Sequence, residues 1–319
     1  DHLTRRVALL HDGSESERIK LRGDVIKLLR GAVPEKSKMA SISKEQSSLS
    51  EEEFEDRVNK CKEYIAAGDI YQIVLSVLFR GKTDIDPFEV YRALRLLNPS
   101  PYMFFFDFGD TQVVGSSPEA LVKLNDNLAS LRPIAGTLPR GLTSEEDEKN
   151  AITLLADPKE SAEHVMLVDL ARNDLGRVAE AGSIYVEPYR KIEHYSHVMH
   201  IVSGVQGKLA SNFDQFDLFA ATFPAGTLVG APKVRAMQII EEMELVGRGF
   251  YGGTAGYFGL SGDMDQAITI RTLVFSNNEY SFQAGAGIVA DSVPSKEYQE
   301  VLAKSAILRN ALEIAKDGF

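Results

Sequence analysis

Apolar residues recur at helical spacing through Phe54, Val58, Cys61 and Ile65, behind a capping box of Ser50 and Glu53, and Gly68 ends the run. This predicts a helix bounded at both ends. From Ile70 to Phe79 the pattern alternates as a strand should, with Gln72 and Ser76 as polar members of one face, so that face is expected to meet something polar. Strands are also expected at Tyr102–Phe108, Thr111–Gly115 and Leu121–Leu124. The turn sequences Gly109-Asp110 and Asn125-Asp126-Asn127 suit antiparallel hairpins. Later strands at Gly253–Gly259, Gln266–Phe275 and Tyr280–Ala286 continue the meander, while helices are expected at Ser161–Arg172, Pro232–Val246 and Glu297–Ala315. The pattern defines an α+β fold with large, mainly antiparallel sheets packed together and helices on the outside.

Toward the N-terminus, Val7 to Leu10 reads as a strand, followed by a helix ending near Gly31. The polar run from Pro34 to Ser50 has the composition of a linker, which divides the chain into residues 1–49 and a main domain, 50–319. A chain of 319 residues can bury a substantial core without disulfides. The single cysteine, Cys61, excludes a disulfide framework and a Cys-type zinc site within the chain, and a reducing cytoplasm is the expected location. No apolar run is long enough for a bilayer, and the start Asp1-His2-Leu3-Thr4 does not read as a signal peptide, so no membrane partner is expected. A net charge of −11 without a basic patch argues against nucleic acid. An anionic substrate would have to be held by local groups.

The run D-P-K-E-S-A-E-H-V-M-L-V-D-L-A-R-N-D, Asp157 to Asp174, carries Glu160 and Glu163 three residues apart. On a helix these share a face and can both offer oxygens to one hard cation such as Mg²⁺. A second pair, Glu297 and Glu300, stands in D-S-V-P-S-K-E-Y-Q-E-V-L-A-K, where Glu300 and Lys304 also have the spacing of a surface ion pair. Just upstream, A-G-A-G from Ala284 to Gly287 lets the backbone approach an anion closely. In F-P-A-G-T-L-V-G-A-P-K, Phe223 to Lys233, a turn with the Thr227 hydroxyl could cradle a carboxylate at the next helix's N-terminus. That run lacks the Gly-Lys-Ser/Thr of a Walker A loop, so a nucleotide is not expected. Either glutamate pair alone suits an ordinary helix surface; both beside anion-holding turns suggest a metal cage around a negatively charged ligand.

These runs resemble the chorismate-utilising enzymes, and within them the large chain (component I) of anthranilate synthase. The likeness covers roughly Ser50 to the C-terminus: P-I-A-G-T at Pro133–Thr137, D-P-K-E-S-A-E-H, F-P-A-G-T, Y-G-G-T-A-G-Y-F from Tyr251, A-I-T-I-R-T to Thr272 and A-G-A-G-I-V-A-D-S follow in the family's order. The resemblance implies a chorismate-binding enzyme fold and a site in which Mg²⁺ bridges the ring carboxylate to the acidic cluster. Glu160 and Glu297 would be direct ligands, with Glu163 and Glu300 behind them. It places Arg271 and Tyr251 on the enolpyruvyl carboxylate, Lys304 near the ring carboxylate, and Gln72, Ala135, Gly136, Thr137, Gly285, Ala286 and Gly287 along the substrate. His200 falls beside the leaving hydroxyl as acid or base; Glu119, in S-S-P-E, and Thr227 join it as catalytic positions. The implied chemistry is addition of ammonia to the chorismate ring, then loss of pyruvate to give anthranilate, the first committed step of tryptophan biosynthesis.

Two substitutions separate the family's reactions. Members that add water carry a lysine base where Gln72 stands, and a neutral amide cannot take water's proton. Aminodeoxychorismate synthases have P-I-K-G-T, whereas this chain has Ala135 in place of that lysine nucleophile. Anthranilate formation fits best; synthesis of aminodeoxyisochorismate, which stops before pyruvate loss, or of aminodeoxychorismate, and a non-catalytic chorismate-binding regulatory scaffold remain the alternatives. Leu138 and Val229 depart from the arginine and serine usual at their positions. The sequence starts at what resembles the end of the N-terminal region in which family members carry a tryptophan-binding feedback motif. No glutamine-hydrolysing module is expected, because Cys61 lies on a helix face, so ammonia would come from solution or from an amidotransferase subunit, component II.

Overall fold

The computed structural model describes residues 8–32, 40–195 and 198–318. The chain divides into two compact units, Asp1–Lys38 and Met39–Phe319. In the first, Ser14 caps the helix Glu15–Leu29 through a capping box with Glu17, and no residue of that helix is buried. The strand expected at Val7–Leu10 does not form at Ala8–Leu10, and Val7 lies outside the described residues. The expected boundary at residue 49 falls too late. Ile42 bridges to Thr83, and Gln46–Ser47 pairs with Arg80 and Phe79 at the edge of a sheet.

In the second unit, every strand pairing among the described residues is antiparallel. A seven-stranded sheet runs in the order Gln46–Ser47, Gln72–Lys82, Glu279–Ile288, Thr272–Ser276, Thr111–Ser117 and Tyr102–Asp107, with Gly230–Ala231 also laid on Gln72–Lys82. Its apolar face receives helices Glu51–Ala66, Pro87–Leu97 and Pro294–Asp317 through Phe54, Val58, Val90, Leu94, Val301 and Leu308. Burying each such large side chain stabilises the fold by roughly 1.5–3 kcal/mol.

A six-stranded sheet, ordered Thr254–Phe258, Met264–Ile268, Ala120–Asn125, Leu128–Leu131, Val205–Lys208 and Tyr185–Val186, packs on helices Pro158–Gly176 and Gln215–Thr222. A three-stranded sheet of Ile134–Pro139, Val198–Val202 and Lys191–His194 is covered by helix Ser144–Ala156. No helix among the described residues is long and apolar enough to cross a membrane.

The helix predicted from Ser50 forms over Glu51–Ala66 with the expected capping box. The strand expected over Gln266–Phe275 is instead two strands in two sheets, Met264–Ile268 and Thr272–Ser276. Between them Arg271 has φ +49°, a left-handed conformation that no continuous strand can contain. A second crossing occurs where Thr111–Ser117 passes into Ala120–Asn125 through Pro118 and Glu119. The crossings lie side by side: Ser116 N–H donates to the Arg271 carbonyl at 3.1 Å, and Ile268 N–H to the Glu119 carbonyl at 3.0 Å.

Candidate active site

Two candidate residues thus stand where the chain leaves one sheet for the other. Thr227, on the short helix Gly226–Val229, donates its hydroxyl to Glu119 Oε1 at 3.1 Å. Burial pushes the Glu119 carboxyl up to about 7, against the opposing pull of that hydrogen bond and of the Lys304 charge. Thr227 was expected to cradle a carboxylate of the ligand; the carboxyl it holds is the protein's own. Arg271 has its Nη1 3.5 Å from Asn98 Oδ1, and no carboxylate among the described residues pairs with it. Burial lowers its pKa. A part-buried guanidinium on a left-handed residue, without a counter-ion, suits an anionic ligand.

His200 lies on Val198–Val202 and faces Thr137 across the pairing with Ile134–Pro139. Its Nδ1 is 3.0 Å from the Gly136 carbonyl and 3.1 Å from Thr137 Oγ1. A carbonyl only accepts, so Nδ1 carries the proton and Nε2 is left with its lone pair. Burial, with the Arg271 charge, holds the imidazole below its ordinary pKa, while the Gly136 carbonyl and Glu193 oppose this. The neutral ring is therefore a base at Nε2. Gly136 has φ +69°, and a Cβ there would stand 3.1 Å from Glu160 Oε2, so the strand turns tightly against the first acidic residue.

Gly285 and Tyr251 define another wall. A Cβ on Gly285 would lie 2.8 Å from the Tyr251 hydroxyl and 2.6 Å from the Leu75 carbonyl, so no larger residue fits this approach. Lys304 Nζ donates to the Gly285 carbonyl at 3.0 Å and pairs with Glu300 at 2.6 Å. In an antiparallel strand a residue's N–H and C=O point to the same side, so the Gly285 N–H also faces away from Gln72–Lys82. Gly287 shares that parity, and the position of its missing Cβ is 2.9 Å from Gln72 Nε2. Ala286 has the opposite parity and its methyl is fully buried in the core, so it offers a ligand neither side chain nor free backbone. Ala135 is likewise buried, 8 % exposed, opposite Ile201. Both were expected along the substrate; packing assigns them to the walls.

Glu160 lies in the first turn of Pro158–Gly176 and Glu297 in the first turn of Pro294–Asp317, two helix ends that favour negative charge. Burial is the main cause that raises the carboxyls of Glu160, Glu163 and Glu297 above the ordinary range, and the charge of Glu300 raises all three further. The four residues of both helices are therefore electrostatically joined. Gln72 Nε2 donates to Glu163 Oε1 at 3.4 Å, which places the neutral amide against the acidic group. Glu300 is drawn to Lys304, and among the described residues no group of three or more His, Cys, Asp or Glu side chains stands ready to hold a metal.

Sequence reasoning missed the groups beneath this surface. Arg248 donates to the Leu228 carbonyl at 2.6 Å, to the Val74 carbonyl at 2.8 Å and to both oxygens of Glu244, and it lies over the Tyr251 ring. Glu244 in turn accepts from the N–H and hydroxyl of Ser76 at 2.9 and 2.8 Å. Ser76 is the polar strand residue whose partner the alternation required. The spacing to Glu244, four residues upstream, is the one local sign of Arg248; its other acceptors, the Leu228 and Val74 carbonyls, are brought in from separate elements.

The model of the chorismate binding enzyme family matches residues 1–310, and the chain belongs to that family. The anthranilate synthase component 1 of Aquifex aeolicus is 57% identical over 272 residues, covering 85% of this chain and 55% of that protein. The component 1 of Neisseria meningitidis serogroup B is 49% identical over 308 residues, 97% of this chain and 63% of the relative. The chain thus spans a little over half the length of these curated relatives. Among solved structures, anthranilate synthase component I from Streptococcus pneumoniae superposes with a TM-score of 0.87 at 40% identity, covering 97% of this chain and 71% of that one. The menaquinone-specific isochorismate synthase MenF of Escherichia coli shares the fold at TM-score 0.80 and 25% identity, covering 95% of this chain and 71% of that one.

Proposed function

We propose that the chain carries the chorismate-converting site of an anthranilate synthase, which adds ammonia to chorismate and releases anthranilate, pyruvate and water. The observation that carries the reading is that opposite charges are gathered about one base: the charge of Arg271 acts on His200, and Gly136, whose carbonyl accepts from His200, turns tightly against Glu160, one of the four electrostatically joined glutamates. The names of the relatives at 49% to 57% identity support the same reaction.

In this reading Arg271 takes the enolpyruvyl carboxylate in a bidentate contact beside the Tyr251 hydroxyl, and the Gly285 N–H and Lys304 help to hold the ring carboxylate. Ammonia forms the new C–N bond as the ring hydroxyl departs, and Glu119, with its carboxyl raised to about 7, supplies the proton that makes the leaving group water. His200 Nε2 then takes the proton from the carbon that bears nitrogen, and the electron pair left behind expels the enolpyruvyl group as the enolate of pyruvate, which becomes pyruvate by taking up a proton at its methylene carbon while His200 returns to its neutral form. Aromaticity is the driving force of that second step. Gln72, an amide engaged with Glu163, has no lone pair basic enough to activate water, which supports amination over hydration.

The donor set fits Mg²⁺. Carboxylates that raise one another's pKa relax when a cation sits among them, and hard oxygen donors are what this ion takes. Glu160 and Glu297 would hold it directly, with Glu163 and Glu300 behind, once Glu300 is released from Lys304. When bound, the ion would neutralise the ring carboxylate and the charge that develops on the leaving side.

Burial pushes the Cys61 thiol up to about 12, so it is no nucleophile for glutamine, and ammonia would come from solution or from a component II amidotransferase. The single cysteine suits work in the cytoplasm. The test is anthranilate fluorescence after mixing the chain with chorismate, Mg²⁺ and ammonium, with chromatography alongside. Fluorescence that needs both additions is expected; a folded protein giving no aromatic product would overturn the reading.

A further inference from the structure

The segment from Phe223 to Pro232 meets the catalytic groups through Thr227, whose hydroxyl reaches Glu119. Gly226–Val229 is a single turn with no side-chain cap, too short to hold its own shape. It is held from outside: Arg248 donates to the Leu228 carbonyl and Gly230–Ala231 pairs with Gln72–Lys82, which leaves the stretch from Thr222 to Thr227 to be fastened at its ends. Lys233 Nζ donates to the Thr222 carbonyl at 3.1 Å, spanning eleven residues, and to the two oxygens of Asp174 at 3.1 and 3.0 Å. All three ammonium hydrogens are thus engaged. One cation closes the segment at its base and pins it to helix Pro158–Gly176, the helix that carries Glu160 and Glu163 at its other end.

The pair is deeply placed, with the Lys233 and Asp174 side chains 9% and 5% exposed. Burying two charges is costly, and apolar side chains of similar volume often serve stability as well or better. A role in geometry accounts for their presence where stability alone does not. The surroundings make geometry matter: Asp174, Thr222, Ala225, Gly226, Thr227 and Glu119 all line one cavity of about 50 Å³. That space would accept roughly a water-sized molecule, so the Thr222–Thr227 part of the segment, once released from Lys233, has room to settle into it and draw Thr227 off Glu119.

We infer that Lys233 is a positioning residue: seated on Asp174 and the Thr222 carbonyl, it sets the segment where the Thr227 hydroxyl meets the Glu119 carboxyl. The inference rests on the reading of Glu119 as the acid of the proposed reaction. The charged groups that face Glu119 are Lys304 from the C-terminal helix, and Arg132 and Asp174 around the shared cavity.

The decisive variant is the double replacement Lys233→Met with Asp174→Leu, which removes both charges and leaves neither buried alone. It is compared with Thr227→Val and with the triple variant. The first readout is the infrared titration of the Glu119 carboxyl, identified by its disappearance in Glu119→Gln. The Thr227 hydroxyl favours the ionised carboxylate, so the midpoint should rise by about 0.5–1 pH unit in the double variant, equally in Thr227→Val, and no further in the triple. The second readout is turnover of chorismate with ammonium, where kcat should fall roughly tenfold with little change in KM. A double variant that folds and titrates as the wild type does while Thr227→Val shifts, or shifts that add in the triple, would overturn the inference. The expected titration shifts in a protein that never turns over chorismate would uphold the positioning role and overturn only the reaction.

Discussion

Replacing Glu119 with glutamine should make the protein more stable at alkaline pH, and the size of the gain follows from the carboxyl's surroundings. The residue stands at one of the two sheet crossings with its carboxyl on the Thr227 hydroxyl, and burial raises its pKa from 4.5 to about 7. The folded state therefore binds this proton more tightly than the unfolded state does. Stability from the group is fully present below pH 4.5 and is lost as pH rises through about 7. At roughly 1.4 kcal/mol per pH unit, the interval is worth about 3 kcal/mol. Glutamine keeps an oxygen to accept from Thr227 and has no charge to bury. Urea unfolding of both proteins at pH 4.5, 6, 7 and 8.5 measures the difference directly, and Glu119→Gln should gain about 3 kcal/mol on the wild type between the two extremes. The same variant should lose most of its turnover, since an amide has no proton to give. A stability difference that stays flat across this range would refute the argument that burial keeps the carboxyl protonated.

Arg248→Met should be severely destabilising, by about 3–5 kcal/mol, because it leaves Glu244 buried without its cation and two backbone carbonyls without donors. Arg172→Ala, at an ion pair whose side chains are 56% and 63% exposed, should cost under about 1 kcal/mol, and urea midpoints compare the two. Glu160→Gln or Glu297→Gln should raise thermal stability without metal, by easing repulsion among the glutamates, and should reduce the further rise that Mg²⁺ gives the parent. Differential scanning fluorimetry with and without Mg²⁺ reads both effects, and an undiminished Mg²⁺ response in both variants would sink the ligand assignment.

The parts of this molecule written locally were legible in its sequence. The Ser50–Glu53 capping box fixed one helix start, and the alternation from Ile70 marked a strand whose polar Gln72 and Ser76 do meet charged partners, Glu163 and Glu244. The helix Pro87–Leu97 went unseen although Asp86 caps it and proline opens it. The sheet crossing at Arg271 was hidden for a different reason. A-I-T-I-R-T has strand composition throughout, and only the competing hydrogen bonds of two sheets, with Thr272 pairing to Gly115 and Ile268 to Thr254, decide that the chain must turn between them. The candidate site residues were named largely through motif resemblance, which assigns positions without their neighbours. It could not say that Thr227 holds Glu119 or that the Ala286 methyl points into the core, whereas the Glu300–Lys304 pair was legible from its helical spacing alone.

The arrangement also gives a reason for where the proposed catalytic groups stand. A strand interior offers side chains on fixed faces with their backbone groups consumed by the ladder, whereas a residue between two sheets is released from both constraints. Glu119 and Arg271 occupy such positions, and the reciprocal bonds of Ser116 to Arg271 and Ile268 to Glu119 restore the rigidity that a loop would lack. The left-handed backbone at Arg271 costs energy that the flanking strands supply, so the guanidinium is held out before any ligand arrives. His200 and the glutamates come from a third sheet and from two helix ends, and two of them are braced by neighbouring neutral groups: the Gly136 carbonyl for His200, Gln72 for Glu163. Acid and base are thereby kept apart on separate supports. Glu119 is buried toward its neutral form and His200 toward its own, so each is poised as the proton donor or acceptor the proposed reaction needs near pH 7.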